Sequence, residues 1–289
     1  SRNPRPSGRG GCQRPDLLVV DDGWWSNRIA PPGDDTPHTL TRHSWSGALI
    51  EEIDAPDSHH VFTALSDGFA WPADEVRELD GQAWTGDVLM VDGSARFSTW
   101  DDLDAALLIE ASASTLGRRW SHINGLHCDS TRCLLTMGAQ DAMIEIDAQS
   151  GEPLRWLGSA PPEGLGLEAW VWPASEALVL PHMAQWTADG TLLLTGSSAD
   201  GAETWATEFA LEDGGLAAIW SHGRGEGLGT PALGHAARLD SGDTLVNFGT
   251  RGVVQRVSAE GAVLGEVSVG LGRIFGRAVP TEPLPLLSE

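Results

Sequence analysis

The chain has 289 residues, enough for one domain with a substantial core, and carries 41 acidic against 18 basic residues for a net charge of −23. Such an acidic surface repels phosphate backbones and anionic bilayers, so neither nucleic acid nor membrane insertion is expected. Every basic residue is arginine and tyrosine is absent, which excludes Schiff-base chemistry, a lysine phosphate cradle and phenolic acid–base catalysis.

Residues 1–15 are rich in Arg, Pro, Gly and Ser and read as a disordered leader without an apolar export signal, ahead of a single domain over 16–289. Residues 16–22, with the run Leu17-Leu18-Val19-Val20, form the first expected strand, and residues 30–35 a loop. A second strand follows His43 over 48–53. His59-His60 opens the next unit, which turns at 66–68 and carries an apparent insertion from Trp71 to Trp84 before the strand 87–91. Residues 101–108 have the composition of one or two helical turns.

From His122 the pattern is clearest: a histidine, a turn-rich loop, Leu134-Leu135, the alternating Met143-Ile144-Glu145-Ile146-Asp147, then Ser150-Gly151 and Trp156. Apolar runs of this length broken by Asp, Ser and Gly are strand-like. His182 repeats the order through Leu192-Leu193-Leu194 and Trp220, and His235 through Leu245-Val246 and 253–257. The opening histidines His60, His122, His182 and His235 lie 62, 60 and 53 residues apart. About four strands per period and no helical periodicity predict an all-β fold, a β-propeller of about six blades with five recognisable units. A strand over 274–279 would close the ring by pairing the C-terminus with the N-terminal blade and so cover exposed edges. A β-sandwich with long loops is the competing architecture.

Cys128 and Cys133 face each other across a four-residue loop and can meet disulfide geometry, although two free buried thiols suit the same spacing. Cys12 stands alone in the leader. No His-Glu-x-x-His or comparable ligand spacing occurs, so neither metal nor cofactor is expected. Acidic loops at Asp21-Asp22 and Gly33-Asp34-Asp35 have carboxylates that could hold calcium, but they lack an EF-hand ligand spacing and read more simply as solvated turns. The glycine-rich 223–229 lacks a following Lys-Ser/Thr and reads as a loop rather than a nucleotide cradle.

The stretches HMAQWTADGTLLLTG from His182, HAARLDSGDTLVNFG from His235 and HINGLHCDSTRCLLTMG from His122, with IEIDAQSGEPLRW, resemble the bacterial arylsulfotransferase family. The resemblance covers most of residues 43–280. It implies an extracytoplasmic propeller whose blade-opening histidines face the central channel, one of them carrying a sulfuryl group from an aryl sulfate to a phenol. On that match His235 is the expected nucleophile, with His182 and His122 beside it, His60 lining the channel and Arg251 binding the sulfate. The family's arginine follows an earlier histidine, however, and none lies between His182 and Trp220. Trp170 and Trp172 are candidates to stack on an aromatic ligand. The partner expected is therefore a small aromatic or sulfated substrate. Three function classes stay open: a sulfuryl transferase, a non-catalytic propeller that binds a ligand or protein, and, third, a quinoprotein-type oxidoreductase, which would call for bound quinone and metal and for more docking motifs than this chain carries. Asp147-Ala-Gln-Ser-Gly151 with Trp156 is also similar to the docking motif of quinoprotein propellers, a packing device in which glycine permits a turn and tryptophan fills space between blades.

Overall fold

A computed structural model describes residues 17–20, 22–29, 37–66, 68–112, 116–212, 214–230, 232–269 and 277–278. The first four-stranded antiparallel meander is β1 (Leu17–Val20), β2 (Gly23–Arg28), β3 (Thr39–Ser44) and β4 (Leu49–Asp54). The second is β5 (Thr63–Leu65), β6 (Gly68–Leu79), β7 (Gln82–Val91) and β8 (Ser94–Ser98). A short helix, α1 (Ala105–Ala111), follows. The third meander is β9 (Ile123–Cys128), β10 (Arg132–Met137), β11 (Ala142–Asp147) and β12 (Pro153–Gly158). After β13 (Glu168–Val171) comes the fourth, β14 (Val179–Trp186), β15 (Leu192–Ser197), β16 (Thr204–Glu212) and β17 (Gly215–His222). The fifth is β18 (His235–Arg238), β19 (Thr244–Asn247), β20 (Val253–Val257) and β21 (Val263–Ser268).

The protein is an all-β propeller, and its five meanders among the described residues are the five units of the repeat. The first strands of successive blades lie against one another, β5 by β9, β9 by β14 and β14 by β18. The outermost strands β4 and β21 are exposed almost throughout. Strand β13 runs parallel to both β12 and β17 and joins the third and fourth blades into one nine-stranded sheet. It thereby covers two outer edges that would otherwise present unpaired amides. The leader, Cys12 and all of the expected closing strand but Arg277 and Ala278 lie outside the described residues. No described helix is long and apolar enough to cross a membrane.

Alternation along the strands explains why the blades stack. Leu135 and Ile144 enter the core shared with the second blade, which contains Leu89, Phe97, Trp120 and Trp156. Their neighbours Leu134 and Met143 enter the core shared with the fourth blade, with Trp172, Leu192, Leu194 and Phe209. A strand whose successive side chains point to opposite faces, both buried, reads as a continuous apolar run. Leu193 points the other way from Leu192 and meets Ala236, Val246 and Phe248 of the fifth blade. Trp25 and Leu40 meet Phe62, Trp71 and Ala73 between the first two blades.

Two expectations are refined. The insertion from Trp71 to Trp84 takes the form of a prolonged β6–β7 hairpin, paired in register from Ala70↔Val91 to Leu79↔Gln82. Its outer half projects beyond the core, leaving Val76 65% exposed, so the residues are polar and lack the apolar signal of a strand. The segment 101–108 is helical only from Ala105, where Asp104 accepts the Leu107 amide and caps the first turn. Leu108 of this helix is fully buried against the second and third blades.

The Ser150-Gly151…Trp156 motif behaves as a packing device. Trp156 is 1% exposed in the interface with the second blade, and its Nε1 donates to the Ser159 carbonyl at 2.7 Å. Gly151 has φ +80°, and a Cβ there would lie 1.9 Å from the Arg96 carbonyl oxygen of β8. Trp156→Ala is expected to lower the unfolding free energy by about 3–5 kcal/mol, and Gly151→Ala to destabilise through that backbone clash, both read by chemical denaturation. Unchanged midpoints would show that this interface does not hold the blades together.

Candidate functional site

Three of the blade-opening histidines come from separate elements. His60 precedes β5, His122 precedes β9, and His182 sits within β14. His60 and His122 both hold left-handed backbones, φ +57° and +50°. That conformation is costly for a residue with a Cβ and is kept where surrounding structure enforces it. The His60 and His122 rings meet edge-on with centroids 4.8 Å apart. His182 is close enough to depress the basicity of both. Each of the three is half-buried. His122 Nδ1 is buried without a hydrogen-bond partner.

Behind them lies a charged layer from the second blade. His59 is fully buried; its Nδ1 is 2.8 Å from His60 Nδ1, and its Nε2 is 2.6 Å from Asp87 Oδ1 and 3.4 Å from Asp74 Oδ1. Asp87 Oδ2 accepts from Ser121 Oγ, and from the Ile123 amide at 3.1 Å. Arg119 binds Asp74 with both terminal nitrogens, at 2.5 and 2.6 Å. Burial opposes ionisation of Asp87, but His59, Ser121 and His122 together hold its carboxyl below the usual range. Burial, then the neighbouring His122, His59, His182 and Arg119, holds His60 well below the usual imidazole range. Burial likewise lowers His122 to about 3 and His182 to about 4. Desolvation penalises the charged ring, so these imidazoles are neutral at pH 7.

The structure thus brings His60, His122 and His182 together. His235 starts β18 in the same topological position but is 2% exposed. Burial and then Arg277 lower its pKa to about 3, against a bond to the Ala278 backbone, and no other histidine contributes. Arg251 is exposed on the turn Gly249–Arg251. Trp172 is 5% exposed and stacks on Phe209, inside the core between blades three and four. Trp170 is half-buried, covered by the Arg155 guanidinium 4.0 Å from its ring centroid. Cys128 and Cys133, opposite each other on β9 and β10, are joined in a disulfide. Beside His182 a small recess, with room for about one water, is lined by Thr195, Ser197, Thr204, Thr230 and Leu233.

Sequence reasoning missed His59, Asp74, Asp87 and Arg119. The adjacent His59-His60 pair was the one local signal. The two aspartates and the arginine stand at unremarkable spacings on β6, β7 and the segment before β9, and only strand pairing assembles them.

No protein-family model and no curated protein matches the chain. Among solved structures it is similar to a protein of unknown function from Bacteroides caccae, at 12% identity and TM-score 0.50, covering 86% of this chain and 78% of that one. It is also similar to virginiamycin B lyase from Staphylococcus aureus, at 13% identity and TM-score 0.44, covering 89% and 70%. Likeness at this level extends to the fold alone.

Burial of the channel imidazoles links stability to pH with a definite sign. His235 falls from 6.5 to about 3 on folding, so between those values the unfolded chain binds more protons than the folded one. Stability is therefore complete above the unfolded value and lost as pH falls through this window. Denaturation is expected to show a decline from pH 6.5 toward 4 of up to about 1.4 kcal/mol per pH unit for each such imidazole. His235→Leu should flatten the slope, and a slope unaltered by that change would show that His235 contributes none of it.

Proposed function

We propose that the channel end is a group-transfer site, and that the group is a sulfuryl moiety passed from an aryl sulfate to a phenol. What carries this reading is the convergence of three neutral imidazoles, His60, His122 and His182, from three blades, with none of their ring nitrogens bonded to protein among the described residues apart from His60 Nδ1. A neutral imidazole is a competent nucleophile, and its N-sulfuryl adduct a good leaving group. His182 fits the nucleophile better than His235, because it lines the recess while His235 is 2% exposed. In the first step His182 forms an N–S bond as the aryl O–S bond breaks and the aryl oxide departs. In the second the acceptor oxygen attacks sulfur, the N–S bond breaks, and the phenolic proton passes to His122 or His60. Arg119 is the guanidinium that lowers the basicity of His60 and His122 by proximity and would oppose charge on the sulfuryl oxygens. The bonded Cys128–Cys133 pair supports an oxidising, extracytoplasmic setting.

One observation favours a non-catalytic reading. Arg119 is already committed to Asp74 through two hydrogen bonds, which weakens its call on an oxyanion and suits a propeller that binds an aromatic ligand without transforming it.

Turnover of a chromogenic aryl sulfate in the presence of a phenol distinguishes the two. The wild type is expected to release the aryl oxide, and His182→Ala to lose about 100-fold or more, with His235→Ala retaining most of the rate. Saturable binding of the aryl sulfate without turnover would replace transfer with the binding reading. Loss confined to His235→Ala would return the nucleophile to the fifth blade.

A further inference from the structure

The charged layer behind His60 has a feature that sulfuryl transfer does not use. His59, Asp74 and Asp87 each offer one donor atom, and the three lie within 4.8 Å of one another. His59 and Asp87 are 0% and 1% exposed. Their inward atoms, His59 Nε2 and Asp87 Oδ1, stand 2.6 Å apart, yet neither has a hydrogen-bond partner in acceptable geometry. Two buried polar atoms that face each other without a well-directed proton between them are costly unless a third group satisfies both.

The remaining atoms of the cluster are occupied from outside. Asp87 Oδ2 accepts from Ser121 Oγ and the Ile123 amide, His59 Nδ1 is engaged by His60 Nδ1, and Asp74 Oδ2 is bound by Arg119. For His59 and Asp87 this is the arrangement of a metal site, where outer partners fix a ligand's orientation and leave one atom pointing inward, whereas Asp74 Oδ1 also receives Arg119 Nη1 at 2.5 Å. We propose that His59 Nε2, Asp74 Oδ1 and Asp87 Oδ1 bind one divalent transition-metal ion, zinc or a close analogue. Metal–ligand bonds of 2.0–2.2 Å place tetrahedral donors about 3.4 Å apart. The His59–Asp74 separation is 3.4 Å, and the His59–Asp87 pair at 2.6 Å has to open by less than about 1 Å. Two carboxylates against the single guanidinium of Arg119 leave excess negative charge for a cation to offset. The imidazole selects zinc, cobalt or iron over calcium and magnesium. Arg119, which touches Asp74 Oδ1 as well as Oδ2, keeps Oδ2 when the ion takes Oδ1. With metal on Nε2, the proton of His59 resides on Nδ1 and is donated to His60 Nδ1.

The site stands independently of sulfuryl transfer and is tested without an activity assay. Metal-stripped full-length protein is titrated with zinc by calorimetry and with cobalt by visible absorption. One saturable site per chain is expected, with the ligand-field bands of cobalt bound to protein. Asp87→Asn and Asp74→Asn should each lose about 100-fold in affinity, and Ser121→Ala about 10–100-fold through the outer partner. Asp74 is half-buried, so its variant keeps the test usable if Asp87→Asn fails to fold. Absence of a stoichiometric site overturns the proposal, as does binding that both aspartate substitutions leave unchanged, which would be adventitious capture by surface carboxylates.

Discussion

Burial of both faces of every inner blade is the constraint on which the structure depends. A four-stranded meander has no interior of its own, so it becomes stable only when its two apolar faces are covered by neighbours. Here successive residues of one strand serve different cores: Leu135 toward the second blade, Leu134 toward the fourth. Leu192 and Leu193 divide in the same way between the third and fifth blades. Because the assignment alternates residue by residue, a one-residue slip would exchange the two faces of a blade, so packing specifies the register strongly.

That stacking also places polar chemistry where a single blade could not. Side chain to backbone bonds tie neighbouring blades together. Asp87 holds the Ile123 amide at the start of β9, Thr136 Oγ1 accepts from the Ala184 amide of β14, and Gln185 donates to the Ala236 carbonyl of β18. The first of these bonds belongs to the same carboxylate that faces His59. Inter-blade connection and the candidate site therefore share a residue, and the left-handed backbones of His60 and His122 sit at that junction. Strain there is tolerated because the surrounding cores leave the segments little freedom to relax.

The site is layered. Half-buried neutral imidazoles form one layer, and a buried His–Asp pair braced by Arg119–Asp74 forms the other. Low dielectric acts in opposite senses on the two layers: it strips protons from His122 and His182, yet strengthens the contacts that keep Asp87 ionised. Neutral ring nitrogens beside a fixed anion are suited to nucleophilic or ligating chemistry, and they follow from depth of burial rather than from any local motif.

The repeat itself was legible. Histidine, an Asp- or Gly-containing turn and an apolar pair recur because the blades obey the same alternation, and that alone determined strand content and the packing roles of Gly151 and Trp156. The polar β6–β7 extension was not legible, since strands that project from the core need no apolar residues. Equivalent positions in a repeat also look alike in sequence, so nothing local separated His235, sealed beside Ala278, from His182 at the recess. Only the tertiary structure made that distinction and brought Asp74, Asp87 and Arg119 to His59. Pairing between distant strands decides which side chains meet, whereas sequence periodicity decides only which face each one occupies.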